Sequence, residues 1–172
     1  LEKLKTLPEL RKIIAREKAA GKTIVLANGC FDLFHVGHIR YLREAKGQGD
    51  VLVVAINSDS SVRKLKGTAR PILPQSERAE ILASFSFVDY VTIFRDPNVE
   101  KILLALQPSI HVKGSDYTEE TVPEKDTVKK YGGKMAIAGG PKVRSTSKII
   151  KMIASGIKKG DDRKGRDSWT HF

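Results

Sequence analysis

Five short, nearly continuous apolar runs recur along the chain, at residues 23–27, 51–56, 88–94, 110–112 and 134–138. A strand that is apolar on consecutive positions has both faces buried, as in a parallel sheet covered on both sides. Between the runs lie stretches with the length and polarity of surface helices: residues 37–46, 75–86, 98–106, 120–131 and 145–157. A further helix is expected over residues 7–20, where Leu10, Ile13 and Ile14 share one face and Gly21 stands as a C-cap. The alternation predicts an α/β fold: a Rossmann-like, doubly wound, five-stranded parallel sheet with helices on both faces. Ligands of such sheets sit beyond the carboxyl ends of the strands, near the point where strand order reverses.

The chain has 172 residues, the size of one domain, expected over residues 1–157, with a charged tail over 158–172 that is disordered or docks on a neighbouring subunit. No apolar run approaches the ~18–20 residues that span a membrane, and residues 1–10 show no signal-peptide pattern, so a cytoplasmic protein with no membrane partner is expected. The single cysteine, Cys30, cannot staple the fold. The net charge of +11 attracts anions, but aromatics are only 6% and there is no RNA-binding signature or zinc-finger spacing. Small phosphorylated substrates therefore account for the charge better than polymeric nucleic acid.

The first expected strand runs out at Ala27-Asn28, and there the chain reads Asn28-Gly29-Cys30-Phe31-Asp32-Leu33-Phe34-His35-Val36-Gly37-His38. Gly29 permits a sharp turn, and Gly37 falls at a helix start, where a missing side chain lets phosphates approach free backbone N–H groups. His35 and His38, three residues apart, share a helix face and can donate to one phosphate group. By itself such a pair is as readily accidental or metal-binding. Zinc, however, needs three or four ligands, and no metal held directly by side chains is predicted. Strand, glycine turn and then HxGH at a helix start form a more specific context.

The order of further segments extends it: Asn57 to Gly67, Arg70-Pro71, Glu77-Arg78, Val112 to Tyr117, and Ser145-Thr146-Ser147. Together these resemble the HxGH nucleotidyltransferases of the cytidylyltransferase-like branch, and are most similar to the heptose 1-phosphate adenylyltransferases. In some bacteria that enzyme is one half of a bifunctional kinase–adenylyltransferase, and this chain is expected to carry the transferase half. The heptose enzymes have a second glycine where Ser115 stands here.

The resemblance implies ATP, with Mg2+, and a sugar 1-phosphate as substrates, commonly in a homodimer. It implies transfer of AMP to heptose 1-phosphate, giving ADP-heptose and pyrophosphate without a covalent intermediate. His35, His38 and Lys66 are the expected catalytic donors. Lys64 and Lys66 are read as flexible ammonium groups on a loop, and Arg70 as part of the same phosphate site. Cys30, Phe31, Gly37, Gly139, Ser145, Thr146 and Ser147 are the expected nucleotide-binding residues, with Arg144 as an added cation. Asp32, Lys64, Arg70, Arg78, Gly114 and Asp116 are the expected substrate-binding residues. For several of these an ordinary role competes. Asp32 can fix the loop by accepting backbone N–H bonds, Arg78 can form a charge pair near a helix start, and Ser145 can simply cap a helix. The rival readings are a glycerol-3-phosphate or related cytidylyltransferase, and a non-catalytic nucleotide- or RNA-binding module.

Overall fold

All five apolar runs become strands of one parallel sheet. In the structure, a computed structural model describing residues 1–118, 120–140 and 145–159, these are β1 (Ile24–Gly29), β2 (Val51–Asn57), β3 (Tyr90–Phe94), β4 (Ile110–Gly114) and β5 (Lys134–Ala138). Their order is β3-β2-β1-β4-β5, with every pair parallel. The order reverses between β1 and β4, so the switch point lies where β1 and β4 end. Most of the tail expected over 158–172, and Arg144, lie outside the described residues.

The helices are α1 (Leu7–Ala19), α2 (Val36–Lys46), α3 (Asp59–Lys66), α4 (Gln75–Ala83), α5 (Glu100–Leu106), α6 (Lys125–Lys130) and α7 (Thr146–Lys159). Strand residues alternate between two cores, as the period of two requires. Val25, Ala27, Leu52, Val54 and Ile56 pack with Leu42 and Ala45 of α2 and Leu82 of α4. Ile24, Leu26, Val51, Val53 and Ala55 pack with Leu10 and Ile14 of α1, Leu103 of α5 and Val128 of α6. Continuous apolar strands thus feed both layers, and helices cover both faces as expected.

Two local expectations are corrected. Residues 59–66 form a helix rather than a loop, so Lys64 and Lys66 sit in the last turn of α3. Ser58 caps it by accepting the Ser61 N–H, and Gly67, at φ 91°, ends it in a conformation glycine adopts without strain. The helix expected over 120–131 shortens to Lys125–Lys130. Ahead of it Thr118 and Thr121 bond to each other in a turn, followed by Pro123. No helix among the described residues is long and apolar enough to cross a membrane.

Candidate active site

Beyond β1 the chain makes a tight loop before α2, and two of its residues, Phe31 and Leu33, are left-handed, at φ 48° and 47°. Each such residue costs about 1–2 kcal/mol for an L-amino acid, so the surroundings must over-determine the loop. They do so through buried polar bonds. Asp32, 1% exposed, accepts from the backbone N–H groups of Ile72 and Leu73 and from Arg70 Nε at 2.6 Å. Arg78 Nη1 donates to Cys30 O at 2.6 Å, its Nε to Leu73 O, and its Nη2 to Asp59 Oδ1. Thr146 Oγ1 donates to Asp32 O at 2.6 Å, tying the start of α7 to the same loop. Burial alone would push the Asp32 carboxyl up. The N–H groups of Leu73 and Ile72, with Arg70, outweigh it and hold the group below the usual carboxylate range.

His35 is the N-cap of α2, and its Nδ1 accepts the Gly37 N–H at 3.1 Å. His38 Nδ1 accepts the His35 N–H at 3.4 Å, and the two rings stack with centroids 3.8 Å apart. A neutral imidazole that accepts at Nδ1 carries its hydrogen on Nε2, so both rings are set as Nε2–H donors. Burial, then the neighbouring His35, pushes His38 down to about 3, so this ring is neutral at physiological pH. Cys30 offers no thiolate, because burial raises its thiol despite Lys66, Arg78 and Arg70 nearby.

An open cleft of about 880 Å³ lies over the switch point. It gathers Cys30, Phe31, His35, Gly37, His38, Lys66, Arg70, Gly114, Asp116, Gly139 and Ser145 to Ser147, residues spread over more than a hundred positions of sequence. The N-termini of α2 and α7 both open onto it, the latter capped by Ser145 Oγ, which accepts the Lys148 N–H. Each brings the positive end of a helix dipole. In α2, however, the Gly37, His38 and Ile39 N–H groups are already taken by His35, so they are not free for a phosphate as expected. Gly114 faces open space, and Gly139, at φ 98°, runs so close to Tyr41 that a Cβ would stand 3.3 Å from it.

Three expected substrate contacts do not reach the cleft: Asp32, Lys64 and Arg78. Asp32 and Arg78 are buried, with their polar atoms bonded to Arg70, Ile72 and Leu73 and to Cys30, Asp59 and Leu73 respectively; Lys64, on the same helix as Lys66, does not line the cleft. The lining also includes residues the sequence reading passed over: Asn28, Arg40, Lys113, Tyr117 and Glu124. Arg40 could have been found from its place two residues after His38 on α2. Asn28 and Lys113 occupy the ends of adjacent strands, a proximity visible only once β1 and β4 are known to pair.

Acid should weaken the fold through two rings. Burial, then Lys113, pushes His111 down to about 3, and His38 is lowered to about 3 as well. Both lie below the ordinary imidazole value of 6.5, so between about 3 and 6.5 the unfolded chain binds more protons than the folded one. Their contribution is complete above the unfolded value and is lost as pH falls, by up to ~1.4 kcal/mol per pH unit for each ring. The urea midpoint should therefore be lower at about pH 5 than at about pH 7.5, and His111→Gln should flatten the slope. Equal midpoints would contradict this assignment.

A family model described as cytidylyltransferase-like matches residues 26–155. The bifunctional protein HldE of Geobacter metallireducens is 50% identical over 151 residues, which is 88% of this chain and 31% of that protein. HldE of Syntrophotalea carbinolica is 45% identical over 158 residues, 92% of this chain and 32% of that protein. The chain thus spans about a third of the length of the curated relatives it matches. Among solved structures, a lipopolysaccharide core biosynthesis protein from Thermoplasma volcanium superposes with a TM-score of 0.58 at 30% identity, over 68% of this chain and 94% of that one. Pantoate-beta-alanine ligase from Francisella tularensis, solved with beta-gamma ATP and beta-alanine, gives 0.60 at 17% identity over 78% and 65%, a likeness of fold alone. The matched segment contains every residue that lines the cleft, and this chain belongs to the cytidylyltransferase-like family of nucleotidyltransferases.

Proposed function

We propose that the cleft transfers AMP from ATP to a heptose 1-phosphate. A phosphate oxygen of the sugar phosphate attacks the α-phosphorus, the bond from that phosphorus to the bridging oxygen breaks, and pyrophosphate leaves. The nucleophile is already anionic, so no general base is needed and no proton changes hands. What the reaction requires is alignment and positive potential where charge grows on the leaving group. The observation that carries the reading is the convergence of two helix N-termini, two Nε2–H imidazoles, Lys66 and Arg70 on one cleft. His35, His38, Thr146 and Ser147 take the β- and γ-phosphates, while Lys66 and Arg70 take the sugar phosphate and the transferring group. Cys30, Phe31 and Gly139 form the nucleotide wall, with Gly114 and Asp116 beside the sugars.

Magnesium is proposed to enter with the triphosphate. Among the described residues no three His, Cys, Asp or Glu side chains group together, and the cation would be held by phosphate oxygens of the nucleotide. There it supplies charge neutralisation of the polyphosphate.

Heptose and adenine are proposed on the resemblance, and the 50% identity to an HldE protein supports them; a cytoplasmic location accords with these substrates. Pyrophosphate release should be followed with ATP or CTP against heptose 1-phosphate, other sugar 1-phosphates and glycerol 3-phosphate. ATP with heptose 1-phosphate is expected to give the highest kcat/KM. A preference for CTP with glycerol 3-phosphate would favour the polyol reading, and RNA binding without pyrophosphate would remove the enzyme.

A further inference from the structure

The β4 side of the cleft holds a buried polar cluster that phosphate transfer leaves unused. Leu26 pairs with His111 and Ala27 with Val112, so the next residues along, Asn28 and Lys113, lie side by side where the strands end. His111 Nε2 donates to Asn28 Oδ1 at 3.1 Å. Lys113 Nζ donates to the same oxygen at 3.2 Å and to Glu124 Oε1 at 3.1 Å. Lys113 and Glu124 are 7% and 5% exposed, and both line the cleft. The other carboxylate oxygen, Glu124 Oε2, is buried and has no hydrogen-bond partner among the described residues. An ionised acceptor left unsatisfied is costly, and folded proteins rarely keep one without a reason.

The surroundings define what would satisfy it. An anionic oxygen repels phosphate, so its partner is a neutral donor. The Lys113 ammonium stands beside it, so the pair presents a charged acceptor and a charged donor together. Hydroxyl groups, each able to donate and to accept, match such a pair. Tyr117, half-exposed, with its ring centroid 5.2 Å from Lys113 Nζ, adds a flat face, and Gly114 leaves the approach open.

We infer that Glu124, held in place by Lys113, accepts a hydrogen bond from a sugar hydroxyl of a bound substrate and so helps set the specificity of the cleft. The inference rests on the nucleotidyl-transfer reading above. That reading brings two sugars to the cleft, the ribose of the nucleotide and the ring of the sugar phosphate, and the chemistry is the same for either.

Titration calorimetry on the 172-residue chain separates them. One arm compares ATP with 2′-deoxy-ATP and 3′-deoxy-ATP; the other compares heptose 1-phosphate with its monodeoxy analogues. Each is run on wild type, on Glu124→Gln, and on the double variant Lys113→Met, Glu124→Met, which leaves no lone buried charge. In one arm, a single deoxy ligand is expected to bind wild type roughly 10- to 100-fold more weakly than its parent, with that ratio collapsing to about threefold or less in the variants. The arm in which this occurs identifies the sugar. A residue that only holds the fold would lower the variants' Tm and leave every ratio as in wild type, and that result overturns the inference. If the chain transfers AMP normally and the ratios do not move, only the Glu124 role falls. If it binds neither ATP nor sugar phosphate, the transfer reading falls and this inference with it.

Discussion

Replacing His35 by alanine is expected to lower pyrophosphate release by about 10²–10³-fold, the loss seen when one preorganised donor to a developing charge is removed. The size follows from geometry already present without ligand. His35 Nδ1 is engaged by the Gly37 N–H, and stacking on His38 at 3.8 Å fixes the ring plane, so the Nε2–H donor needs little reorganisation. The same variant loses a cap on α2, a cost of about 0.5–2 kcal/mol, far below what would unfold a domain of this size. Activity and stability therefore separate. Steady-state kinetics with a thermal melt should show a nearly intact fold and a collapsed kcat, whereas turnover within a few-fold of wild type would count against His35 as a leaving-group donor.

Arg78→Ala should do the reverse, with stability lost first. The Arg78 side chain is fully buried, and its three bonds join the loop at Cys30, the segment at Leu73 and the start of α3 at Asp59. Truncation leaves two carbonyls and a carboxylate without their donor, a loss of about 3–5 kcal/mol, or a fall in Tm of roughly 10 °C. Arg78→Lys should recover little, because an ammonium cannot reach three acceptors in a fork geometry. A variant that melts like wild type and fails only in KM would return Arg78 to the substrate.

The fold was legible because each strand is apolar on both faces, a pattern that leaves little choice but a covered parallel sheet. The helix α3 was missed for a physical reason. Asp59-Ser60-Ser61-Val62-Arg63-Lys64-Leu65-Lys66 has two apolar residues and two serines, so composition resembles a solvated loop. Its caps, Ser58 before and Gly67 after, were the available signal. In the site, most of the expected residues that line the cleft lie at strand ends and helix starts, positions that local pattern locates. The burial of Asp32 and Arg78 was not legible because each bonds across about 40 residues or more, Asp32 to Ile72 and Leu73 and Arg78 to Cys30. The Lys113–Glu124 pair escaped for a similar reason: it becomes visible only when β4 and the segment ahead of α6 are folded against each other.

The proposed reaction is a single transfer of AMP from ATP to a sugar 1-phosphate, driven by positive groups and without a covalent enzyme intermediate. It is tested most directly by incubating the chain with ATP and heptose 1-phosphate and measuring pyrophosphate and ADP-heptose in the same reaction. The two are expected in equal amounts, with no pyrophosphate when the sugar phosphate is left out. Pyrophosphate released from ATP alone, with AMP found attached to the protein, would contradict it.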